Sequence, residues 1–262
     1  MLVFTAIVPH SPILIPTIGK EQIKRLDKTV AAFDALEKKL NESCPDTLII
    51  ITPHGEISDQ SFSVNTNSLY QATFNEFGDF ETKFSFKPDL DFVMRLKAMQ
   101  ETKLPLQLIS QNNLDHGVSI PLYYLTRSNK NFRIVPVNTS LLSLNKHLSF
   151  GQAMQEAIFN SDKRYAVIAS GDLSHRLSPK APAGFSPKAK EFDKKLIQLL
   201  KKKQVDNILN IDRELLDNSA QCGLNSIMIL LGALHNIEYE FEVINYESPF
   251  GVGYLVAEFK LK

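Results

Sequence analysis

The segment LVFTAIVPHSP, residues 2–12, joins an apolar run to a histidine that stands between two prolines. The run is short and rich in β-branched and aromatic residues, which is typical of a buried strand. Histidine is a common metal ligand and the natural acid or base near neutral pH. The segment therefore predicts a first strand that places His10 at one edge of a sheet.

Three more histidines stand in short turn-forming contexts, each close behind an apolar run. They are His54 after residues 47–52, His116 after residues 104–109 and His175 after residues 165–170. In open α/β sheets, ligands bind beyond the carboxyl ends of the strands. We therefore expect these three side chains and His10 to share one site.

The rest of the chain alternates between strand and helix patterns. Strand candidates lie at residues 2–8, 47–52, 132–137, 165–170, 239–245 and 252–259, and helical patterns lie at residues 20–41, 89–100, 119–126, 144–159, 187–203 and 223–235. This alternation predicts one α/β domain over residues 1–262, with a central mostly parallel or mixed sheet flanked by helices on both faces. Residues 61–86 break the rhythm, which predicts an antiparallel excursion or an active-site cover.

Composition narrows the class of protein. Lysine plus arginine balances aspartate plus glutamate at 29 each. The protein therefore has no net positive charge that would attract nucleic acid or an anionic membrane surface. The apolar N-terminal run is much shorter than the ~20 residues of a membrane span and lacks the basic region of a signal peptide. The two cysteines, Cys44 and Cys222, lie far apart, which favours a reducing compartment. We expect a soluble cytoplasmic protein that binds neither nucleic acid nor membrane.

The histidines suit a metal site, although the sequence lacks a His-Glu-x-x-His helix, a cysteine cluster and an EF-hand. Two imidazoles plus one carboxylate describe the ligand set of non-haem Fe(II) oxygenases. Glu247, expected directly after the strand at 239–245, is a candidate carboxylate. Glu56 and Asp172 compete with it, and Asp172 is better explained as a turn residue or a hydrogen-bond partner of a histidine.

Five motifs between residues 9 and 254 carry a family resemblance. They are Pro9-His10-Ser11-Pro12, Thr52-Pro53-His54-Gly55, Leu114-Asp115-His116-Gly117 with Pro121-Leu122, Ala169-Ser170-Gly171-Asp172-Leu173-Ser174-His175, and Glu247 before Gly251-Val252-Gly253-Tyr254. In this order they resemble the catalytic B subunits of class III extradiol dioxygenases, a superfamily that also includes Memo-like proteins.

The resemblance implies a role for each candidate residue. His10, His54 and Glu247 would ligate Fe(II), His175 would be the acid or base, and His116 would contact the substrate. The implied reaction uses dioxygen to cleave a catechol-type ring beside its paired hydroxyls, so the expected partners are a small aromatic diol and dioxygen. A homodimer is a further expectation from the superfamily.

Two alternatives remain open at this point. A Memo-like accessory protein would keep the metal pocket without dioxygenase turnover and would bind an AMMECR-type or radical-SAM partner. The segment Ala220-Gln221-Cys222-Gly223-Leu224 resembles such stand-alone homologues, and Cys222 is expected either to line the pocket or to be a small buried residue at a helix start. The second alternative is a zinc-dependent hydrolase, since two histidines and a carboxylate also suit a zinc-bound water.

Overall fold

A mixed sheet of eleven strands forms the centre of the protein, within residues 1–100 and 104–262, which the computed structural model describes. The strands are β1 (Leu2–Val8), β2 (Thr47–Thr52), β3 (Phe62–Asn65), β4 (Tyr70–Phe74), β5 (Asp79–Pro88), β6 (Leu106–Ile109), β7 (Asn113–Leu114), β8 (Arg133–Asn138), β9 (Tyr165–Ser170), β10 (Tyr239–Glu247) and β11 (Tyr254–Leu261). Their order is β10-β11-β1-β9-β2-β8-β5-β4-β7, and β3 pairs with β8 and β6.

Helices cover both faces of this sheet. They are α1 (Pro16–Gly19), α2 (Asp27–Glu42), α3 (Leu90–Gln100), α4 (His116–Leu125), α5 (Leu144–Phe159), α6 (Pro187–Lys201), α7 (Val205–Leu209), α8 (Arg213–Ser219) and α9 (Leu224–Ala233), with 3-10 turns at Pro12–Leu14, Lys20–Leu26 and Asn75–Phe77. None of these described helices is long and apolar enough to cross a lipid bilayer.

The central strand β2 shows why the sheet must be covered on both sides. All six of its residues are buried, and alternate residues belong to different apolar clusters. Ile49 and Ile51 pack in the cluster that contains Phe150 of α5, whereas Leu48 and Ile50 pack in the cluster that contains Phe33 of α2. Alternation of side chains along a strand thus places apolar residues in two cores at once.

The observed architecture confirms the predicted fold class: a mixed sheet, parallel at its centre, between two helical layers. Several bounds differ from the predicted ones. The helix predicted at 20–41 begins as a 3-10 turn and becomes α-helical at Asp27, α4 begins at His116 rather than near residue 119, and β10 runs on to Glu247.

The segment at 61–86 forms the predicted excursion. Strands β4 and β5 pair antiparallel, and the turn Asn75–Phe77 joins them. This turn reaches the site edge of the sheet, where the Phe77 ring centroid lies 5.4 Å from that of His116.

Candidate metal centre and adjoining pocket

Three neighbouring parallel strands bring the site together. Strand β9 pairs in parallel with both β1 and β2, so their carboxyl ends share one edge of the sheet. His10 and His54 each stand two residues beyond the end of their strand, on either side of the loop that follows β9. The topology therefore explains why residues 44 positions apart in the sequence lie side by side.

The two histidines direct their ring nitrogens at each other. Nε2 of His10 lies 2.9 Å from Nε2 of His54, and the rings are nearly perpendicular at 77°. Nδ1 of His10 lies 2.8 Å from Oγ of Ser170, the last residue of β9. With the Nδ1 proton in that hydrogen bond, Nε2 of His10 presents a lone pair to the site.

Cys222 lies beside the two histidines. Its Sγ lies 3.4 Å from Nε2 of His10, and the ligand atoms of His10, His54 and Cys222 all lie within 4.8 Å of one another. The backbone N–H of Asp172 donates to Sγ (3.3 Å), and the backbone N–H of Gly223 donates to the Asp172 carbonyl (3.0 Å). These bonds hold the Cys222 segment against the end of β9.

His116 and His175 complete the cluster. His116 opens α4, and its ring stacks on that of His54 with centroids 4.3 Å apart and lies 5.4 Å from that of His10. Nε2 of His175 lies 3.9 Å from Oδ2 of Asp172, and its buried Nδ1 has no hydrogen-bond partner among the described residues. The structure thus gathers all four predicted histidines at one edge of the sheet.

Glu247 lies elsewhere. Its Oε1 accepts hydrogen bonds from the backbone N–H (2.9 Å) and the hydroxyl (2.5 Å) of Thr29, in the first turn of α2. Strand β10 is separated from β1 by β11. Because neighbouring strands lie about 4.8 Å apart, the strand of Glu247 is roughly 10 Å from the strand that precedes His10, measured across the strands. Among the described residues, His10, His54 and Cys222 form a group close enough together to hold a metal ion, and Glu247 is not part of it.

Glycines next to the site allow this packing. A Cβ on Gly55 would lie 2.0 Å from Oδ1 of Asn138, and one on Gly117 would lie 2.4 Å from Oγ1 of Thr52. A glycine directly after a site histidine permits either close approach or unusual dihedrals, and at both positions the structure shows close approach.

Burial sets the protonation of the site. It lowers the pKa of His10 well below 6.5 and that of His54 to about 4, and charge on neighbouring histidines adds to both effects. Burial also lowers the pKa of His116 and of His175. Burial raises the pKa of Asp172 to about 7, although the backbone N–H of His10 donates to its Oδ1 (3.1 Å). These imidazoles are therefore held neutral, the form that binds metals.

The donor set fits a metal ion. Two donors each about 2.1 Å from a shared ion lie roughly 3 Å apart when the angle at the ion is near 90°, and a thiolate at about 2.3 Å lies slightly farther from its neighbour. The distances of 2.9 Å and 3.4 Å match this pattern. Burial and the nearby Asp172 raise the pKa of the Cys222 thiol, so a thiolate here needs a cation beside it.

A cavity of about 780 Å³ adjoins the donors. His54 and His116 line one end of it, and Thr73, Asn75 and Glu76 of the excursion line another wall. His54 is exposed towards this cavity, whereas His10 is buried behind it. The excursion is therefore also a wall of this cavity.

A buried carboxylate anchors the loop that carries His175. Asp193 of α6 accepts from the backbone N–H of Ser174 (2.9 Å) and from the hydroxyl of Tyr246 (2.7 Å). The inward position of Asp193 cannot be predicted from the sequence, because an aspartate in a charged amphipathic helix gives no sign that it points inward. His147 is fully buried in the first turn of α5 and accepts from the backbone N–H of Ser140 (3.3 Å).

The sequence over residues 4–257 matches the family described as the catalytic LigB subunit of aromatic ring-opening dioxygenase. The chain belongs to this family. It shares 30% identity over 258 residues with Protein CA_C1420 of Clostridium acetobutylicum, which covers 95% of this chain but 55% of that protein, so the chain spans about half the length of that relative.

More distant relatives have named activities. The chain is 23% identical to 3,4-dihydroxyphenylacetate 2,3-dioxygenase of Escherichia coli over 79% of this chain and 80% of that protein. It is 22% identical to the 2-aminophenol 1,6-dioxygenase beta subunit of a Pseudomonas species, over 97% and 92% respectively. The crystal structure of uncharacterized protein JW3007 from Escherichia coli K12 has the same fold, with a TM-score of 0.69 at 14% identity, over 98% of this chain and 99% of that one.

Proposed function

We propose that this protein is an Fe(II)-dependent extradiol dioxygenase that opens the ring of a small aromatic diol, and that His10, His54 and Cys222 hold the metal. The observation that supports it most is the joining of a metal-donor set to a cavity through His54, with two further histidines beside it. Family membership supports the same class of reaction.

The metal would supply charge stabilisation for the ionised diol and one-electron chemistry towards dioxygen. The surrounding residues would bind and orient the diol next to it, which converts a collision between three reactants into a reaction within one site. Both oxygen atoms of dioxygen enter the ring-opened product, so the overall reaction needs no added reductant.

His175 is proposed as the acid and base. Burial lowers its pKa, so the ring is neutral near pH 7 and can accept a phenolic proton. Its Nε2 lies 3.9 Å from Oδ2 of Asp172, and its buried Nδ1 has no hydrogen-bond partner among the described residues. His116 lines the cavity beside His54 and is proposed to contact a substrate hydroxyl.

The test is anaerobic loading with Fe(II), followed by oxygenated buffer and a panel of catechols. We expect oxygen uptake with a yellow ring-opened product, and loss of both in His54→Ala. His235→Ala is the matched control, because His235 is exposed at the end of α9 and away from the site. Full metal content without oxygen uptake on any diol would refute the proposed activity.

The position of Cys222 beside His10 and His54 favours a second candidate function, that of a Memo-like metal-binding accessory protein without dioxygenase turnover. In the proposed donor set a thiolate would replace the carboxylate expected of the extradiol site, and softer ligand sets of this kind also bind zinc and copper. Stable capture of an AMMECR-type or radical-SAM protein, with no turnover of any diol, would favour the accessory role.

Metal analysis of protein purified without oxygen shows whether the bound metal is iron or zinc. A zinc-loaded protein that hydrolyses esters would favour the hydrolase alternative.

A further inference from the structure

We infer that the cavity beside His54 and His116 selects aromatic diols whose side group is a cation such as a primary ammonium, and disfavours those that carry a carboxylate. This inference rests on the proposed function, because it treats the cavity as the pocket for the substrate of that reaction.

The cavity has the position and size for such a substrate. Its volume of about 780 Å³ is within the roughly 300–1,000 Å³ range of small-molecule pockets and leaves room beyond a single ring. Because His54 and His116 line it, a diol bound at the donor set would extend its side group into the cavity.

The charged side chains of the cavity wall set its selectivity. Glu56 and Glu76 line it, and Asp115, also in the wall, accepts a hydrogen bond from Oγ1 of Thr52 (2.6 Å). Among the described residues, no lysine or arginine contributes to this wall. An anionic side group would therefore meet like charge with no lysine or arginine to offset it, whereas an ammonium group would meet the carboxylates of Glu56 and Glu76.

The two glutamates are placed differently in the cavity. Glu76, whose side chain is 59% exposed, has its Oε1 3.7 Å from Nδ1 of His116, next to the expected position of the ring. Glu56 lies two residues beyond His54, and its Oε2 accepts a hydrogen bond from the Gln111 side-chain amide (3.0 Å). That bond orients the Glu56 carboxylate and also occupies an amide donor that a bound carboxylate would otherwise use.

The neutral part of the wall does not reverse this preference. Asn75, Asn113 and Thr73 supply amide and hydroxyl groups, which serve donors and acceptors alike. The net discrimination therefore comes from Glu56 and Glu76.

The experiment compares three catechols with side groups of similar length and different charge: dopamine, 4-propylcatechol and 3,4-dihydroxyphenylacetate. Binding is measured by calorimetry to protein loaded with Zn(II), which cannot carry out the oxygen chemistry, and turnover is measured separately with Fe(II). We expect dopamine to bind about tenfold more tightly than 3,4-dihydroxyphenylacetate, with 4-propylcatechol between them, as two partly exposed charges would produce.

The double variant Glu56→Gln with Glu76→Gln should bring the three affinities to within about twofold of one another. Glu240→Gln is the matched control, because Glu240 is an exposed glutamate on β10 at the other end of the sheet order. The control should keep the wild-type preference.

The binding and turnover measurements separate the pocket from the reaction. Tighter or equal binding of 3,4-dihydroxyphenylacetate, or a dopamine preference that survives the double variant, overturns the inference even if Fe(II)-loaded protein opens rings. Charge-selective binding without ring opening supports the pocket assignment and refutes the proposed reaction. Failure of all three catechols to bind overturns both.

Discussion

Gly171 and Gly223 are in backbone contact: a Cβ atom on Gly171 would lie 2.2 Å from the Cα atom of Gly223. One glycine follows β9 and the other precedes α9, so this contact connects two segments that are 52 positions apart in the sequence. Beside them, the backbone N–H of Asp172 donates to Sγ of Cys222 (3.3 Å), and the backbone N–H of Cys222 donates to the carbonyl of Asp172 (3.3 Å). The position of the Cys222 side chain therefore depends on two residues without side chains.

Gly171→Ala should displace Cys222 and lower the affinity for metal. The added methyl group cannot be accommodated without moving one backbone segment, which we expect to cost about 1–3 kcal/mol of unfolding free energy, as for other overpacked sites. Denaturant unfolding and metal content after dialysis measure the two effects. Gly184→Ala is the control, because a Cβ there meets nothing within 4 Å but the φ of +82° is strained for alanine. It should lose stability and keep its metal; equal metal content in both variants would contradict the role of the contact.

Cys222→Ala and Glu247→Gln should separate the two candidate ligands. Removal of the thiol should strongly reduce metal retention, because two imidazoles alone would remain. Glu247→Gln should keep the metal and cost about 1 kcal/mol, since a neutral amide binds the N–H group of Thr29 and the α2 N-terminus less favourably than a carboxylate does. Metal content by mass spectrometry and stability by chemical denaturation measure the two effects. Loss of metal in Glu247→Gln, with retention in Cys222→Ala, would reverse the assignment.

His175→Gln should spare metal content and reduce turnover by about 10²–10⁴-fold, the usual contribution of a general acid or base. In the metal-loaded protein, the pH profile of kcat should also lose the fall in rate that the protonation of His175 causes in the wild type. Metal content equal to that of wild type is required for the comparison to be valid. A variant with wild-type kcat would show that His175 has no part in proton transfer.

The fold and most of the site follow from local sequence patterns. The apolar runs of β1, β2 and β9 have sharp ends, and His10 and His54 each stand two residues beyond one of them, so the hydrophobic pattern and the turn residues are enough to predict that both histidines lie at strand ends. The parallel pairing of these three strands then places His175 at the same edge.

The proposed third donor, Cys222, cannot be derived in the same way. Cys222 follows the helix α8 rather than a strand, and its approach to His10 depends on the contact between Gly171 and Gly223. Glu247 gives the stronger signal in the sequence, because it comes at the end of an apolar strand. The strand order disfavours it: β11 lies between β10 and β1, and strand order is a long-range property that no local pattern contains.

In the metal-free protein, histidines and Asp172 should give opposite dependences of stability on pH. The pKa of His54 falls from 6.5 to about 4 on folding, so between these values the unfolded state binds more protons and stability falls as pH falls. The pKa of Asp172 rises from 3.8 to about 7, so in that window the folded state binds more protons and stability rises as pH falls. The two contributions partly cancel between pH 4 and pH 6.5.

Single substitutions should expose each contribution. Asp172→Asn removes the proton that the folded state takes up at Asp172, which in the wild type offsets the effect of His54. The unfolding free energy of this variant should therefore fall more steeply than that of wild type on acidification from pH 6.5 to about 4. His54→Gln should fall less steeply, because one group that gains a proton on unfolding is gone. Urea unfolding of metal-free protein at several pH values across this range measures both slopes. Parallel curves for wild type and Asp172→Asn would mean that the buried carboxyl stays ionised, and its contact with the backbone of His10 would then be that of a charged acceptor.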